Sequence, residues 1–526
     1  MEPVLIIGAG PVGLTTALGL AHYGIPFLLF EEDGTLSLET KAGTVLTRTL
    51  EVFRRYGVAD DVLQRALRVE EIGDIDRRTN QPRRSVLTNV LRDETRYPFV
   101  INLPQHHLEP ILRQAVDAAP EGQVRMSHRL LSYTSDVDGV TATFETPEGE
   151  RSFTGSYLLG CDGGRSTVRA LCGVRAEGVS LDVRYMLVDL EVDLDVGNPR
   201  DYPYLAYFSD EQEWMILIRQ PHCWRFLFPL SPGASEPSEA EFQEKILRFV
   251  GQVDLVRMLG HVTYRVHHRI AGQWRKDRAF LMGDAAHLIT PMWALGLNTG
   301  ILDAANLPWR LAWVLRGWAD PALLDGYERE LRSVAIHGAG KMAEAARGQM
   351  EKRVGADADA SANDWGNAYT RTLLGVRLDV QGTGDWAMVR SETEPQPLRV
   401  GERIPDFPLH GPAGRPLRVH DLNDDCFVAL YFTDVRRRPA IPMNVSPALR
   451  HYVVSRWDAP LDSGLRDRAL LDVANSLRTR LGMGEDCVVL VRPDDHIAAI
   501  VPLGTADSSA LYKAHVGRAP PLEGAA

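Results

Sequence analysis

Glycine and acidic residues that directly follow short apolar segments could bind a dinucleotide. Gly8-Ala9-Gly10-Pro11-Val12-Gly13 follows the apolar run Val4–Ile7 and leads into a helical pattern. Glycines at this spacing allow a tight turn and let a pyrophosphate approach the backbone N–H groups at the helix start. Glu31 follows the next apolar run, Phe27–Phe30, where a carboxylate can accept hydrogen bonds from ribose hydroxyls. This order of strand, glycines, helix and acid predicts a dinucleotide site rather than a merely tight turn.

Two later aspartates have a similar setting. Asp162 and Asp284 each end an apolar run, so they could bind ribose or ribityl hydroxyls at a sheet edge, or they could cap a following helix. Gly296-Leu297-Asn298-Thr299-Gly300 precedes another helical pattern. The N–H groups of a helix N-terminus would suit a ring edge that becomes anionic on reduction, and an ordinary loop and cap is the alternative.

The segments that carry these residues predict an α/β fold. Val4–Ile7, a helix from Val12 to Tyr23, and Phe27–Phe30 form one βαβ unit, and Ala279–Met282 returns to the same parallel sheet. Strand patterns at Tyr185–Val192, Trp214–Arg219 and Trp224–Leu230 predict an inserted antiparallel sheet. The other predicted elements are helices over Thr47–Tyr56, Leu108–Ala118 and Gly300 to about Arg353, and a hairpin of Val140–Glu145 with Arg151–Leu159.

A separate C-terminal α/β domain is predicted from Val400 onward. Its expected elements are buried strands at Phe427–Phe432 and Cys487–Val491 and a helix over Leu465–Leu481. Residues 354–399 are rich in Ala, Asp, Gly, Thr and Pro, which is typical of a linker.

The bulk properties exclude several classes of protein. The chain has 526 residues and a net charge of -12, which argues against nucleic acid or an anionic membrane as a main partner. The five cysteines have no CxxC or metal-ligand spacing, so neither a metal site nor a disulfide is expected. The apolar stretch Leu288–Leu315 contains Asp303 and Arg310 and is therefore expected to be buried in the protein. Because the first strand pattern starts near Met1, no signal peptide fits, and a cytoplasmic location is expected.

Taken together, these motifs resemble the single-component flavoprotein aromatic hydroxylases of the p-hydroxybenzoate hydroxylase type, over about residues 3–345. Val266–Ala271 and Pro291-Met292-Trp293 are similar to the 3-(3-hydroxyphenyl)propionate hydroxylase branch of that family. Gly401–Asp406 resembles the entry into the C-terminal thioredoxin-like domain of that branch. Here that domain lacks a CxxC pair, which argues against disulfide chemistry and favours a scaffold or dimerisation role.

The resemblance implies a Rossmann-like FAD-binding fold with an inserted antiparallel-sheet substrate domain and a C-terminal thioredoxin-like domain. The FAD-binding domain is expected to comprise residues 1–75, 100–180 and 270–353, and the substrate domain residues 76–99 and 181–269. The linker would span 354–399 and the last domain 400–526. Residues expected to contact FAD are Gly8, Gly10, Pro11, Val12, Gly13, Glu31, Lys41, Arg48, Gln105, Asp162, Asp284, Pro291, Gly296, Leu297 and Asn298.

The resemblance further implies an FAD-dependent monooxygenase. NADH or NADPH would bind transiently and reduce FAD, and O2 would form a flavin C4a-hydroperoxide that hydroxylates a phenolic ring. His267 is the candidate base, with a structural histidine as the alternative, and Pro291 and Trp293 are expected to line the pocket. Trp293 could instead be a core residue. The partners would be a small aromatic substrate and O2, and a homodimer fits the pattern.

Two departures from the family pattern keep other functions open. Trp293-Ala294-Leu295 stands where the family usually has Gly-Gly-Gln, and Lys41 stands where an arginine is frequent. A reshaped pocket leaves room for Baeyer–Villiger oxygenation or epoxidation of a polycyclic natural product. A flavin-binding protein without oxygenase activity is the alternative of another class.

Overall fold

The computed structural model describes most of the chain, with gaps. The described residues are 1–38, 43–76, 81–192, 194, 202–209, 214–230, 233–235, 237–250, 255–289, 292–336, 343, 377–382, 397–423, 425–433, 446–456, 467–482 and 486–522. Two of the predicted site residues, Lys41 and Pro291, lie outside these ranges, as does most of the predicted linker. Among the described residues, no helix combines the length and apolar character that crossing a membrane requires.

The helices and strands are numbered in chain order. The helices are α1 (Pro11–His22), α2 (Thr47–Arg55), α3 (Ala59–Arg65), α4 (Gln105–Ala118), α5 (Thr167–Leu171), α6 (Glu239–Val250), α7 (Leu295–Leu315), α8 (Asp325–Ser333), α9 (Ser476–Leu481) and α10 (Ser508–Val516). The strands up to the last of the large sheet are β1 (Val4–Ile7), β2 (Phe27–Phe30), β3 (Thr44–Val45), β4 (Leu67–Val69), β5 (Glu71–Asp76), β6 (Gln81–Leu87), β7 (Val100–Asn102), β8 (Gly122–Arg125), β9 (Arg129–Ser135), β10 (Val140–Thr146), β11 (Gly149–Gly155), β12 (Tyr157–Gly160), β13 (Ala176–Val192), β14 (Leu205–Ser209), β15 (Met215–Arg219), β16 (Trp224–Leu230), β17 (Leu255–Ala271), β18 (Arg275–Lys276), β19 (Ala279–Leu281) and β20 (His287–Leu288). The remaining strands are β21 (Pro408–His410), β22 (Pro416–Arg418), β23 (Phe427–Phe432), β24 (Leu449–Ser455), β25 (Ala469–Leu471), β26 (Cys487–Val491) and β27 (Ile497–Pro502).

A six-stranded sheet forms the centre of the predicted nucleotide fold. Its strand order is β18-β19-β12-β1-β2-β8, and all pairings except β18–β19 are parallel. Val4, Leu5 and Ile6 on β1 are fully buried, as expected for a strand covered on both faces. This sheet confirms the βαβ unit and the return of Ala279–Leu281 to it.

An eight-stranded, largely antiparallel sheet forms the second layer. Its strand order is β20-β17-β13-β16-β15-β14-β5-β6, so β5 belongs with this sheet. Its two faces follow the two-residue period of a strand. On β13, Tyr185 and Leu187 join an apolar cluster with Leu46, Trp293 and Leu295 from the nucleotide-binding side. Met186 and Val188, their neighbours on β13, belong to a second apolar cluster on the opposite face of the sheet, which α6 covers.

The C-terminal region forms a seven-stranded mixed sheet, in the order β22-β21-β25-β24-β23-β26-β27. On β23, Phe427 and Ala429 join the apolar core of the nucleotide-binding domain, whereas Val428 and Leu430 form the sheet's own core. The sheet therefore packs against the rest of the protein through residues of one face. The five cysteines of the chain are buried, and none of them forms a disulfide. The thioredoxin-like assignment of this domain stays a prediction.

Three local predictions were wrong. The expected strand Arg151–Leu159 is divided into β11 and β12, because the burial pattern changes near Ser156 from largely exposed residues to continuous burial. The expected helix Leu465–Leu481 is instead β25 followed by α9, because Asp472 caps α9 through Ser476 N at 2.9 Å and Leu477 N at 3.0 Å.

The third error concerns the helix expected to follow Gly300. This helix, α7, begins earlier, at Leu295. As a result, Gly296, Leu297 and Asn298 lie in its opening turns rather than in a preceding loop.

Candidate functional site

The glycine turn between β1 and α1 is closely packed on one side and open on the other. A Cβ atom on Gly13 would lie 1.9 Å from Gly8 O, and one on Gly8 would lie 2.5 Å from Cys161 O. No described atom lies within 4 Å of the Cβ position at Gly10. The N-terminus of α1 also has no side-chain cap and no acidic residue in its first turn. Open space beside uncapped N–H groups fits the pyrophosphate of a dinucleotide.

Glu31 holds this turn from the end of β2. Its Oε2 accepts a hydrogen bond from Ala9 N at 2.7 Å, and its Oε1 accepts one from Asp33 N at 3.1 Å. A carboxylate accepts more than two hydrogen bonds, so Glu31 keeps capacity for a ribose hydroxyl. The structure thus brings together the turn and the acid that the sequence predicted for one cofactor.

The two predicted aspartates have different environments. Asp162 accepts hydrogen bonds from Ser166 Oγ at 2.5 Å and from Val168 N at 2.9 Å, so its side chain caps α5. Burial raises the pKa of Asp162. Asp284 is exposed, directly after Gly283. Of the two carboxylates, Asp284 is the better placed for a cofactor hydroxyl.

The turn at Gly283 is fixed by a buried aspartate and histidine. Asp303 Oδ2 accepts a hydrogen bond from Gly283 N at 2.7 Å and lies 2.8 Å from His287 Nε2. Burial alone would lower the pKa of His287, but the Asp303 carboxylate outweighs it and the pKa is raised. Gly283 has a φ of 56°, and a Cβ there would lie 2.8 Å from Val12 Cγ2. The sequence prediction did not include Asp303 and His287 as site residues.

Asn298 joins the start of α7 to the start of α2. Its Oδ1 accepts hydrogen bonds from Leu46 N at 2.8 Å and from Thr49 Oγ1 at 2.7 Å. Its Nδ2 donates to Thr44 O at 3.1 Å and to Ala294 O at 2.7 Å. The amide is therefore satisfied by the protein, which leaves the helix backbone as the part of this turn that could contact a flavin.

Two left-handed residues precede α7. Trp293 has a φ of 58° and Ala294 a φ of 57°. The sequence analysis placed two family glycines at these positions, and glycine adopts this conformation without strain. The Trp293 side chain is 3% exposed and belongs to the apolar cluster between α7 and the large sheet. The side chain is thus part of a packed core, and its role in lining a substrate pocket stays a prediction.

The face of the large sheet toward α7 carries aromatic residues. Tyr185 and Trp214 pack edge to face with 5.1 Å between ring centroids, and Tyr264 lies 6.2 Å from Tyr185. Desolvation raises the pKa of the Tyr264 phenol, so this group is protonated at neutral pH. This face therefore presents aromatic surface of the kind against which a planar ring packs.

A buried ion pair interrupts this apolar face. Arg225 binds Asp189 through two hydrogen bonds of 2.8 and 2.9 Å, and both residues are buried. A Cβ atom on Gly43 would lie 2.4 Å from Nε2 of the fully buried Gln220 and 3.0 Å from NH1 of Arg225. The sequence prediction missed these polar residues. The available signal was a charged residue with apolar neighbours on both sides in each of two strands.

His267 does not lie on this face. Val262, Tyr264 and Val266 of β17 contact the cluster toward α7, so strand alternation places His267 on the other side of the sheet. Burial, Arg269 and Arg265 lower the pKa of His267. Its role as a base stays a prediction that the geometry does not favour.

Arg48 and Gln105, both predicted from the resemblance, are engaged by other side chains. Arg48 is 3% exposed and donates through NH1 to Asp495 Oδ2 at 2.8 Å in the C-terminal domain. Gln105 is the first residue of α4 and donates to Glu109 Oε1 at 2.7 Å. Arg48 is thus held by the C-terminal domain, and its contact with FAD stays a prediction.

Fold and site together define an FAD-binding protein. A family model described as an FAD binding domain matches residues 1–338, and the chain belongs to this family. This confirms the family and the FAD cofactor predicted from the motifs.

Named relatives are hydroxylases and monooxygenases. The chain is 34% identical over 341 residues to the 3-(3-hydroxy-phenyl)propionate/3-hydroxycinnamic acid hydroxylase of Mycolicibacterium smegmatis (strain ATCC 700084 / mc(2)155), which covers 63% of the chain and 58% of the relative. It is 28% identical over 348 residues to the para-nitrophenol 4-monooxygenase of Pseudomonas sp. (strain WBC-3), covering 64% and 84%. The chain thus spans less than two thirds of the length of the first relative.

Solved structures resemble a larger part of the chain. A ternary complex of aklavinone-11 hydroxylase with FAD and aklavinone has a TM-score of 0.78 and 26% identity, covering 98% of this chain and 99% of that one. The p-nitrophenol 4-monooxygenase PnpA from Pseudomonas putida DLL-E4 has a TM-score of 0.64 and 26% identity, covering 71% and 95%. The similarity to aklavinone-11 hydroxylase extends through the C-terminal domain.

Proposed function

We propose that the protein is an FAD-dependent monooxygenase that uses NADH or NADPH and O2 to hydroxylate a phenolic ring. The observation that carries this proposal is the aromatic sheet face opposite the start of α7, with Arg225 and Asp189 buried in it. Bound FAD supplies hydride acceptance and O2 activation. The named relatives that hydroxylate phenols support the same reaction class.

The cofactor would be held at three places. The open space at Gly10 and the N-terminus of α1 would bind the pyrophosphate, and Glu31 and Asp284 would bind hydroxyl groups of the ribose and ribityl parts. The opening turn of α7 would offer backbone N–H groups to the ring system. Asp303 and Asn298 do not bind the cofactor in this proposal, but hold the Gly283 turn and the start of α7 in place.

The substrate ring would lie on the aromatic face. Tyr185, Trp214 and Tyr264 would contact the ring and exclude water, which strengthens every electrostatic interaction in the site. Arg225 would stabilise the negative charge that develops on the phenol oxygen, because its guanidinium is buried. Asp189 would orient that guanidinium through its two hydrogen bonds.

A polycyclic aromatic substrate is the second candidate. The structure with aklavinone aligns with 98% of this chain, whereas the p-nitrophenol enzyme aligns with 71%. A larger substrate would also leave room for Baeyer–Villiger oxygenation or epoxidation. A flavin-binding protein without oxygenase activity is the remaining alternative. We further propose a cytoplasmic location, which the lack of a disulfide among the five cysteines supports, and a homodimer. We also propose the domain division given above, with β5 counted in the substrate domain.

The test is NADH and NADPH oxidation by the FAD-loaded protein in air, with a panel of phenols and polycyclic phenols and with mass analysis of the products. Stimulated oxidation with a product one oxygen heavier supports the hydroxylase. The site of oxygen insertion then separates ring hydroxylation from Baeyer–Villiger oxygenation and epoxidation. The absence of stimulation by every phenol would contradict the proposal and favour a protein without oxygenase activity.

A further inference from the structure

The turn between β26 and β27 inserts two consecutive aspartates into the FAD-binding domain. Asp494 Oδ2 accepts hydrogen bonds from Asn306 Nδ2 at 3.1 Å and from Trp309 Nε1 at 3.2 Å, both on α7. Asp495 binds α2, through Arg48 NH1 at 2.8 Å and through Arg55. Each aspartate is 1% exposed. Neighbouring carboxylates of one turn therefore hold two different helices.

These aspartates belong to a buried network of charges. Within the described residues, its cations and anions, none more than 8% exposed, are Arg48, Arg55, Arg310, Arg403, Arg492, Glu51, Glu330, Asp494 and Asp495. Burial alone would raise the pKa of Glu51, but Arg403 outweighs it and lowers the pKa to about 2. Removing one partner from such a network leaves its neighbour buried and uncompensated. The domains are thus joined by interactions that tolerate little displacement.

Glu51 on α2 connects three parts of the chain. Its Oε1 accepts a hydrogen bond from Thr95 Oγ1 at 2.7 Å, in the segment that leads from the large sheet to β7. Its Oε2 accepts hydrogen bonds from Arg403 Nε at 2.7 Å, in the C-terminal domain, and from Arg48 NH1 at 2.9 Å. Arg403 also donates to Glu94 O at 2.9 Å. The C-terminal domain therefore holds α2 and the segment beside it at the same point.

The helices held in this way carry the cofactor side of the protein. Thr49, next to Arg48 on α2, donates to Asn298 in the opening turns of α7. At the other end of α2, Tyr56 OH donates to Ala304 O on α7 at 3.1 Å. The spacing of α2 and α7 is consequently set from one side by Asn298 and Tyr56 and from the other side by the C-terminal turn.

We propose that the C-terminal domain is a permanent positioning element of the FAD site. In this proposal Asp494 and Asp495 fix the spacing between α7 and α2, and Arg403 fixes Glu51 beside them. Asp495 is a positioning residue, because it acts on the cofactor through α2. The inference rests on the FAD site and not on the oxygenase reaction, so it is independent of the reaction proposed above.

The test is FAD titration of the full-length apoprotein at low temperature, followed by flavin fluorescence and the visible flavin spectrum. Asp495→Asn removes the charge and keeps a residue that tolerates the left-handed backbone at this position, where φ is 63°. We expect the Kd for FAD to rise at least tenfold with an unchanged far-UV spectrum, and saturating FAD to restore the wild-type flavin spectrum. The control is Asp425→Asn, which breaks an exposed ion pair with Arg450 in the same domain and should leave the Kd unchanged.

Asp421→Asn decides the matter if Asp495→Asn does not fold. It weakens a partly exposed ion pair between the C-terminal domain and Arg54 of α2, and we expect a two- to fivefold rise in the Kd for FAD. Folded variants that bind FAD within twofold of the wild type would overturn the inference. A raised Kd together with no response to any phenol would support the inference and contradict the proposed function.

Discussion

Gln220 and Gly43 approach so closely that only glycine fits at position 43. A Cβ atom there would lie 2.4 Å from Gln220 Nε2, and Gln220 Nε2 donates to Gly43 O at 3.3 Å. This contact joins the end of β15 on the substrate sheet to the segment before β3. It therefore lies where the proposed substrate and cofactor sites meet.

Gly43→Ala should alter the substrate site while leaving FAD bound. The added methyl group must displace Gln220 or Arg225, which lies 3.0 Å from the same position. We expect the KM for an accepted phenol to rise by about tenfold, since a small displacement of a positioning group costs on the order of 1–2 kcal/mol. Steady-state kinetics and FAD titration of the same sample check this. An unchanged KM would show that Gln220 and Arg225 do not border the substrate.

Gly10→Ala should abolish tight FAD binding without affecting the fold. The backbone there has a φ of -71°, and no described atom lies within 4 Å of the new methyl group. The stability of the apoprotein should change by less than about 0.5 kcal/mol, while the Kd for FAD rises at least tenfold. Gly260→Ala is the matched control, because its Cβ position is equally open but lies on the large sheet. Wild-type FAD affinity in Gly10→Ala would contradict the proposed pyrophosphate position.

Alanine variants of the two predicted aspartates should differ: one should affect FAD binding and the other the stability of the apoprotein. Asp284→Ala, at an exposed position, should weaken FAD binding and leave the apoprotein as stable as the wild type. Asp162→Ala removes an acceptor for Val168 N and should lower the free energy of unfolding by about 1 kcal/mol. Urea unfolding of both apoproteins and FAD titration provide the comparison. Full flavin content and unchanged activity in Asp284→Ala would show that the site is wrongly assigned.

The buried network predicts a loss of stability in acid. Burial would raise the pKa values of Glu51 and Glu330, but Arg403 and Arg310 outweigh it and lower each to about 2 from 4.5. Their contribution is therefore complete above pH 4.5 and is lost as the pH falls toward 2, by roughly 3 kcal/mol each at most. Urea unfolding between pH 7 and pH 3 measures this loss of stability.

Glu51→Gln should be less stable at neutral pH and should show a weaker pH dependence below pH 4.5. The control is Glu145→Gln, which removes the partner of an exposed Arg129 and should follow the wild-type curve. Identical acid profiles for Glu51→Gln and the wild type would contradict the role of Glu51.

Ala294→Gly should stabilise the protein. Ala294 has a left-handed backbone with a φ of 57°, which costs a residue with a side chain about 1 kcal/mol relative to glycine. We expect the free energy of unfolding to rise by about 0.5–1 kcal/mol. Ala312→Gly, in the interior of α7, is the control and should destabilise by about 1 kcal/mol. A destabilised Ala294→Gly would mean that α7 does not begin as described.

The parts of the fold that local patterns determine could be predicted from the sequence. The runs Val4–Ile7 and Phe27–Phe30 and the glycine turn between them depend on neighbouring residues, and the structure has them as predicted. Arg48 was assigned to the cofactor from the resemblance alone; its carboxylate partner, Asp495, lies in another domain and has no local signal. His267 was proposed without knowledge of the strand register, which places its neighbour Val266 toward the site instead.

The hydrogen bond between Arg48 and Asp495 has a consequence for biosynthesis, because it joins residues 447 positions apart. During synthesis, α2 exists long before the turn that holds it. At about 5–20 residues per second, this interval is roughly 20–90 s. During this interval the glycine turn can already be folded, whereas α2 and α7 still lack their contacts with Asp494 and Asp495. FAD should thus be retained only once the last hairpin has left the ribosome, and stalled chains ending before β26 should release it readily.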